Sequence, residues 1–572
     1  MRGMKFPHRP SPISRPPRYP GRLHSIPRLC ALLWALAPRA ESTTYFVATN
    51  GSDNPPYLSW TSAARSIQAA VNLATNGDTV LVGEGTYSGL GAAYYGPNVV
   101  VITNGITLIS SNRSETTWID GGGSNRCVLI AHTGAVVEGF TLSHGYVTAS
   151  NPVVSAFIDH VGYAACGGGV FIRNGGTLRG CTVRDNQVHG ILYAVDAFPF
   201  PPGARGGGIY AATATNNGNV IIEGCVIENN AAITSSRTNG YYGGSPYGGG
   251  VFLQGPNGTN ASGILRNSRI SGNWATCSNI VNSAEGGGAM LIRTALVQGC
   301  TFTANYSVDG NGGGLSLDRS RAVGCIVRQN RADLSGGGVT LNTRATLLNC
   351  IVAENDGGGC MSSGYSNHFI SCIIVLNTNL GVSGVGVATG LTIRDPDRAV
   401  NTIVRYNYDA MGQEDNWEYS EGFSPYTPFT MDYSCVSPLP TSGVGNITLD
   451  PLFADENFLP AAGSPCLDAG PSSAADIGTT DFNGTARILN GRADIGAFEA
   501  WEWGPASMRA VSNAITWNVV SGAVCRLERS TDLMAGNWTP VGSTATGGPA
   551  PVIFSDTGGL ASAHFRLRAL EP

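Results

Sequence analysis

Through the middle of the chain, short runs alternate apolar and polar positions, and the same run returns many times. Cys181-Thr182-Val183, Cys300-Thr301-Phe302 and their equivalents are apolar at positions one and three, the period-2 pattern of a strand with one buried face. Each run closes on an Asn, giving Cys-x-(Val/Ile/Phe)-x-x-Asn at Cys181/Asn186, Cys225/Asn230, Ser268/Asn273, Cys300/Asn305, Cys325/Asn330, Cys350/Asn355 and Cys372/Asn377. Weaker copies stand at Phe140/Gly145 and Thr402/Asn407. A triplet of glycines precedes a second hydrophobic strand in each unit, beginning at Gly167, Gly206, Gly248, Gly286, Gly312, Gly336 and Gly357. The unit predicts strand, turn, strand, with no helix inside it.

Successive first positions lie 44, 43, 32, 25, 25 and 22 residues apart. The basic unit is therefore about 22 residues, and the early copies carry insertions, as solenoids allow. If each unit is one rung, equivalent residues stack about 4.8 Å apart and the Cys, Val and Asn columns become ladders. Asn suits such a column because stacked amides bond to each other and to turn backbone. Gly at the triplets suits tight corners with positive φ. The fold expected is all-β, a parallel β-helix.

Gly286-Gly287-Gly288-Ala289-Met290 followed by Phe302-Thr303-Ala304-Asn305 resembles the GGA(I/L/V) and FxxN repeats of polymorphic outer-membrane proteins and related bacterial β-helix proteins of the pectin lyase-like superfamily. The resemblance spans roughly residues 44 to 500. It implies a right-handed parallel β-helix and leaves the activity open, because that superfamily holds polysaccharide lyases, glycoside hydrolases, adhesins and passive fibres.

The ends of the stack read differently. Ile67, Ala70, Val71 and Ala74 form one apolar helical stripe, a short amphipathic helix placed to plug the first rung. Beside it, Asp53 and Asp78 are expected in turn and cap roles. At the far end, Asp450-Pro451-Leu452-Phe453, Ser464-Pro465-Cys466-Leu467-Asp468-Ala469-Gly470, Asp481-Phe482-Asn483-Gly484 and Asp494-Ile495-Gly496-Ala497-Phe498-Glu499 resemble the closing region of secreted bacterial β-helix proteins grouped by a variable C-terminal anchor. We read it as the C-terminal cap. Residues 505–572 carry short alternating strands that predict a small β-sandwich, similar to fibronectin-III-like modules. Residues 1–40, with an apolar core at Leu29 to Ala37 and small residues near Ala40, look like an export signal. The domains expected are 1–40 signal peptide, 41–500 capped β-helix and 505–572 sandwich, in a monomer that is secreted or held at the cell surface.

Composition narrows the chemistry. Charged residues are 13 % and Gly contributes 78 of 572, against typical values of about 25 % and about 7 %. A net charge of −5 without a basic cluster in the mature region argues against nucleic acid. The one lysine is Lys5, so a lysine cannot serve the mature protein's chemistry. No segment is long enough to cross a bilayer as a helix.

Candidate function concentrates in the insertions between each Asn and the next Gly triplet. Counted from Gly145 they hold 21, 19, 17, 12, 6, 5 and 1 residues, so they taper along one corner as a wall. That wall is aromatic: Tyr146, Phe157 and Tyr163, then Tyr193, Phe198 and Phe200, then Tyr241, Tyr242 and Tyr247, then Trp274. Aromatic faces beside an elongated groove suit sugar rings, and the same residues would also pack loops together. Tyr193, Tyr242 and Trp274 are the candidate ligand platforms, with a polysaccharide or cell-surface glycan as partner.

The same corner holds Asp159, His160, Asp185, His189, Asp196, Arg205, Arg237 and Glu285. A polysaccharide hydrolase needs two carboxyls roughly 5 to 9.5 Å apart, and a lyase needs a base and a cation for the uronate. Asp185, His189, Asp159, Asp196 and Arg205 are the candidate catalytic residues. His189-Gly190 only faintly resembles the Gly-His-Gly of polygalacturonases, whose Asn-Thr-Asp, Asp-Asp and Arg-Ile-Lys are missing. An adhesive or polysaccharide-binding role is thus placed first, and a lyase or glycoside hydrolase acting on uronic-acid polysaccharide second. No cofactor or metal is expected: the repeats lack an Asp ladder, and the acids of the closing region, though able to hold Ca²⁺, are placed for turns. The six ladder cysteines are expected as a buried thiol column, since stacked parallel side chains have the wrong vectors for a relaxed disulfide.

Overall fold

The computed structural model describes residues 42–150, 165–192, 203–212, 218–236, 245–255, 263–278, 283–293, 295–379, 388–421, 428–489 and 491–500, with six strands between 509 and 569. Three long sheets of 12, 13 and 12 strands are built from strands between Thr44 and Val436. One rung shows how they arise. After Gly167–Gly169 the chain enters sheet 1 as Val170–Arg173, sheet 2 as Gly176–Arg179 and sheet 3 as Thr182–Arg184. Apart from Ala92–Ala93, which pairs antiparallel with Pro97–Ile102, the strands of these sheets pair in parallel with their counterparts one rung away: Val170, Ile209, Val251, Ala289, Leu315 and Val339 form one column. The chain is a right-handed parallel β-helix.

Residues in the left-handed region turn the corners, three of them at fixed places in the repeat. They are the residue before the ladder Cys, the residue before the ladder Asn and the first Gly of the triplet: Gly299, Ala304 and Gly286 in one set, with φ of +58°, +54° and +67°. Non-glycine residues there, such as Asp185, Asn349 and Leu376, each cost roughly 1–2 kcal/mol, which the stacked rungs must offset. The third Gly has a different reason. A Cβ on Gly288 would lie 2.4 Å from the carbonyl oxygen of Gly314 and 2.9 Å from Cγ of Asn305. Gly triplet and Asn recur together because the Asn amide fills the space a side chain at that glycine would need.

The amides form a continuous buried ladder. Asn186, Asn230, Asn273, Asn305, Asn330, Asn355, Asn377 and Asn407 each donate from Nδ2 to the Oδ1 of the next ladder amide or, at Asn407, of Asn416. Inside the helix the middle residues of the sheet 3 strands, Val183, Ile227, Ile270, Phe302, Val327, Val352 and Ile374, stack with the cysteines in one core. Cys181, Cys225, Cys300, Cys325, Cys350 and Cys372 are all buried free thiols. Outside, one column of sheet 2 alternates charge, Glu138–Arg179–Glu223–Arg266, with separations of 3.4, 3.6 and 3.0 Å. That alternation avoids like charges one rung apart.

At the first rung the helix Ile67–Leu73 is capped by the Ser66 hydroxyl, which accepts from Ala69 N, and it buries Ile67, Ala70 and Val71. Gln68 seals the sheet edge by donating to Val101 O and accepting from Val101 N. Asp78 accepts from Thr43 N and Thr75 N, and Asp53 from Arg65 N and Ser66 N; both are turn ligands to backbone.

The closing region does more than cover the last rung. Phe458, Cys466, Ile495, Ala497 and Phe498 lie against Ile351, Ala353, Ile373, Val375 and Ile403, the outward side chains of sheet 3. Ile477 and Ala493 cover Val400 on sheet 2. Buried Arg487 ties this layer to the solenoid, donating to Glu499 Oε1 at 2.9 Å and Asn349 Oδ1 at 2.6 Å. Its acids are engaged by backbone: Asp494 accepts from Asp468 N and Ala500 N, and Asp481 from Asn483 N, Thr485 N and Glu499 N. Beyond it, the strands Arg509–Val511, Ala514–Trp517 and Val552–Ser555 form one antiparallel sheet, and Thr539–Thr546, Val524–Ser530 and His564–Ala569 another.

Candidate functional site

Where the ladder Asn residues release the insertions, the chain leaves and returns along two stacked ladders. The outgoing strands Tyr146–Ser150, Gln187–Leu192, Ala231–Ser236, Trp274–Ser278, Tyr306–Val308 and Arg331–Ala332 form a fourth, six-stranded parallel sheet. The returning segments pair as Ala165–Cys166 with Ala204–Arg205 and Ala284–Glu285 with Gly310–Asn311, with Tyr247 bridging Arg205 and Glu285. Between the ladders, Val188 and Ala232 pack against Ala165 and Ala204. Small side chains allow that close approach, and alternation then sends their neighbours outward on opposite sides.

On the outgoing side, the residue just after each ladder Asn makes one column: Gln187, Ala231, Trp274, Tyr306 and Arg331. Trp274 is 37 % exposed, and Tyr306 is its register partner one rung on. The Tyr306 hydroxyl donates to Asp333 at 2.6 Å, and the Arg331 guanidinium lies 5.1 Å from the Tyr306 ring centre. Arg331 also pairs with Asp333 at 3.3 Å. Burial, reinforced by the Asp333 carboxylate, pushes the Tyr306 phenol up to about 12, so it stays a hydrogen-bond donor. Two residues along each strand, His189 sits half-buried with Nε2 2.7 Å from Ser235 Oγ, and burial lowers its pKa. Asp185 occupies the left-handed corner before Asn186 and is paired with Arg184 at 2.8 Å.

Arg205 faces the other way. Its guanidinium lies over Tyr247 and over Phe252 of sheet 1, 5.8 and 5.4 Å from the ring centres. Phe252 continues an outward aromatic row with Phe171 and Tyr210. Asp185 and His189 therefore share one side of the insertion layer and Arg205 lies on the opposite one. Asp159, Asp196, Tyr193 and Tyr242 fall outside the described residues, as do Phe157, His160, Tyr163, Phe198, Phe200, Arg237 and Tyr241.

Two further residues gain weight from the geometry. Tyr306 was readable in principle, since it follows Asn305 as Trp274 follows Asn273. Glu285, on the Arg205 side, accepts from Ser316 Oγ and Asn342 Nδ2, both at 3.2 Å. Among the described residues it has no cationic partner within ion-pair distance. Burial, with Asp318 nearby, holds its carboxyl above the ordinary range.

No protein-family model and no curated protein matches the chain. Among solved structures it is similar to the pectate lyase Pel9A, at 14 % identity over 81 % of this chain and 98 % of that one, with a TM-score of 0.35. It is also similar to a rhamnogalacturonan lyase, at 12 % over 67 % and 88 % with a TM-score of 0.30. A third is the A-module of the mannuronan C-5 epimerase AlgE4 from Azotobacter vinelandii, at 12 % over 65 % and 94 % with a TM-score of 0.28. All three likenesses are in fold alone, the parallel β-helix. Among the described residues no helix is long and apolar enough to cross a membrane.

Proposed function

We propose that this is a secreted, surface-associated β-helix protein that binds polysaccharide along the outgoing face of its insertion sheet. The observation that carries the reading is the Trp274–Tyr306 pair, two ring-bearing side chains on adjacent rungs of one column, the first exposed and the second fixed by Asp333 and Arg331. Apolar ring faces flanked by fixed donors and a guanidinium match the alternating C–H faces and hydroxyls of a sugar chain. A rung spacing of about 4.8 Å makes the platform linear, as an extended ligand requires. Tyr193 and Tyr242, on the longer insertions, are proposed to extend it.

A second reading, hydrolysis or elimination on a uronic-acid polysaccharide, is favoured by one feature. Glu285 is a partly buried carboxyl held above its ordinary range, the property of a general acid. Chemistry would then belong to the side shared by Glu285, Asp318 and Arg205, rather than to Asp185 and His189. The test is a polysaccharide array read for retention and for reducing or unsaturated ends. Trp274→Ala and Tyr306→Ala should each weaken retention roughly tenfold, about 1.4 kcal/mol, with melting unchanged for Trp274→Ala. Full retention by the double variant would refute the platform. New chain ends that vanish in Glu285→Gln, with retention kept, would establish the enzymatic reading instead.

A further inference from the structure

The ladder thiols and the remaining cysteines stand in different environments. Cys435 belongs to the final strand of sheet 3, Cys435–Val436, and Cys466 to the segment that folds back over that sheet. Both are free thiols, fully buried in one apolar cluster with Ile403, Phe458, Ile495 and Phe498, and the two side chains lie close enough for each to perturb the other. They approach from different directions. Cys435 comes from the solenoid wall, its Sγ 3.3 Å from Leu449 O, while Cys466 comes from the covering layer, its N donating to Ser464 Oγ and its O accepting from Ile495 N. Cysteines of the column, in contrast, rise from equivalent positions of parallel rungs.

A cation stands beside this pair. Arg405 is held by the carbonyl oxygens of Thr448 and Leu449 at 2.8 and 2.9 Å, and its buried Nε has no hydrogen-bond partner of ordinary geometry. The neighbouring Cys466 side chain, helped by the Arg405 guanidinium, holds the Cys435 thiol below its usual range against the effect of burial. The same proximity pushes Cys466 up. In the column, burial instead pushes Cys225 up to about 11 and Cys181, Cys300 and Cys350 further. Thiolate character sets reactivity toward disulfides, which favours Cys435, with a guanidinium beside it, over the column thiols.

We propose that Cys435 and Cys466 form a disulfide that staples the covering C-terminal layer to the last rung of the solenoid, while the column cysteines stay reduced. The reaction is thiol–disulfide exchange with an external low-molecular-weight disulfide, admitted by local opening of the covering layer while Arg405 stays beside Cys435 on the neighbouring strand of sheet 3. The Cys435 thiolate attacks one sulfur of that disulfide and expels a thiolate, leaving a mixed disulfide on Cys435. Cys466, losing its proton, then attacks Sγ of Cys435 and expels the second thiol. Two protein thiols have given up two electrons and two protons, and the external disulfide has become two thiols. The inference stands independently of the glycan reading.

The full chain, refolded from urea in buffer with oxidised and reduced glutathione, tests it against a dithiothreitol control. Cleavage must be at acidic residues, because no Lys or Arg lies between Cys435 and Cys466, whereas Asp450, Asp455 and Glu456 do. Mass spectrometry without reduction should show one peptide pair joined through Cys435 and Cys466, and two fewer alkylatable thiols than the control. Arg405→Gln should slow the appearance of that pair several-fold without changing its connectivity; an unchanged rate would overturn the role given to the guanidinium. Recovery of Cys435 and Cys466 both alkylated after oxidation, or joined instead to a column cysteine, would overturn the staple, and neither readout requires a cysteine variant to fold.

Discussion

Removing one amide from the ladder should destabilise the solenoid far more than its volume suggests. Asn305 Nδ2 donates to Ile270 O at 2.9 Å and Asn330 Oδ1 at 2.9 Å, and its Oδ1 accepts from Asn273 N and Asn273 Nδ2, both at 3.0 Å. In Asn305→Ala, Asn273 Nδ2 keeps bonds to Ile227 O and Ser271 O, and Asn330 Oδ1 keeps the one from Asn305 N. Asn273 N loses its partner in a site where Asn273 is fully buried, while Ile270 O loses one of two acceptances and keeps its place in the parallel ladder with Thr301–Thr303. One orphaned buried N–H at about 1–3 kcal/mol, with a further ~1 kcal/mol for the weakened amide contacts, gives a loss of roughly 2–4 kcal/mol. Urea unfolding of residues 41–572 followed by circular dichroism measures it, with exposed Asn457→Ala as the control. A double-mutant cycle with Asn330→Ala should show coupling, because the two amides share a bond. A single-variant loss below about 1 kcal/mol would refute the account, since it would mean that water or a relaxed backbone satisfies that N–H.

Two other perturbations follow from the same packing. Cys325 is fully buried between Cys300 and Cys350, so Cys325→Asp should cost several kcal/mol for an uncompensated charge; a wild-type melting temperature would show that the column does not face the core. Burial pushes the Glu499 carboxyl up to about 8 and Asp494 up to about 6. A carboxyl whose folded pKa is raised favours folding below its unfolded value and loses that contribution as pH rises through the folded one. Docking of the 450–500 layer should therefore weaken between about pH 4.5 and pH 8, seen as faster limited proteolysis; Glu499→Gln should flatten that dependence, and an unchanged slope would count against it.

The repeat was legible in the chain because a solenoid repeats its local geometry. The Cys, Val and Asn positions of each rung stack on their counterparts, so spacing alone predicted the three ladders, the thiol column and the tapering insertions. It also marked Trp274, whose position follows directly from Asn273. Other features were decided only in three dimensions. Which way His189 and Arg205 face depends on where an insertion turns back, and a period counted through the rungs carries no information about that turn. Arg487 meets Asn349 across 138 residues, and Cys435 meets Cys466 through a layer with no repeat of its own. Periodicity encodes contacts between equivalent positions of neighbouring rungs; contacts between unlike segments are selected by shape and burial once the solenoid has formed, and those are what brought the staple, the Glu285 environment and the two-sided insertion layer into being.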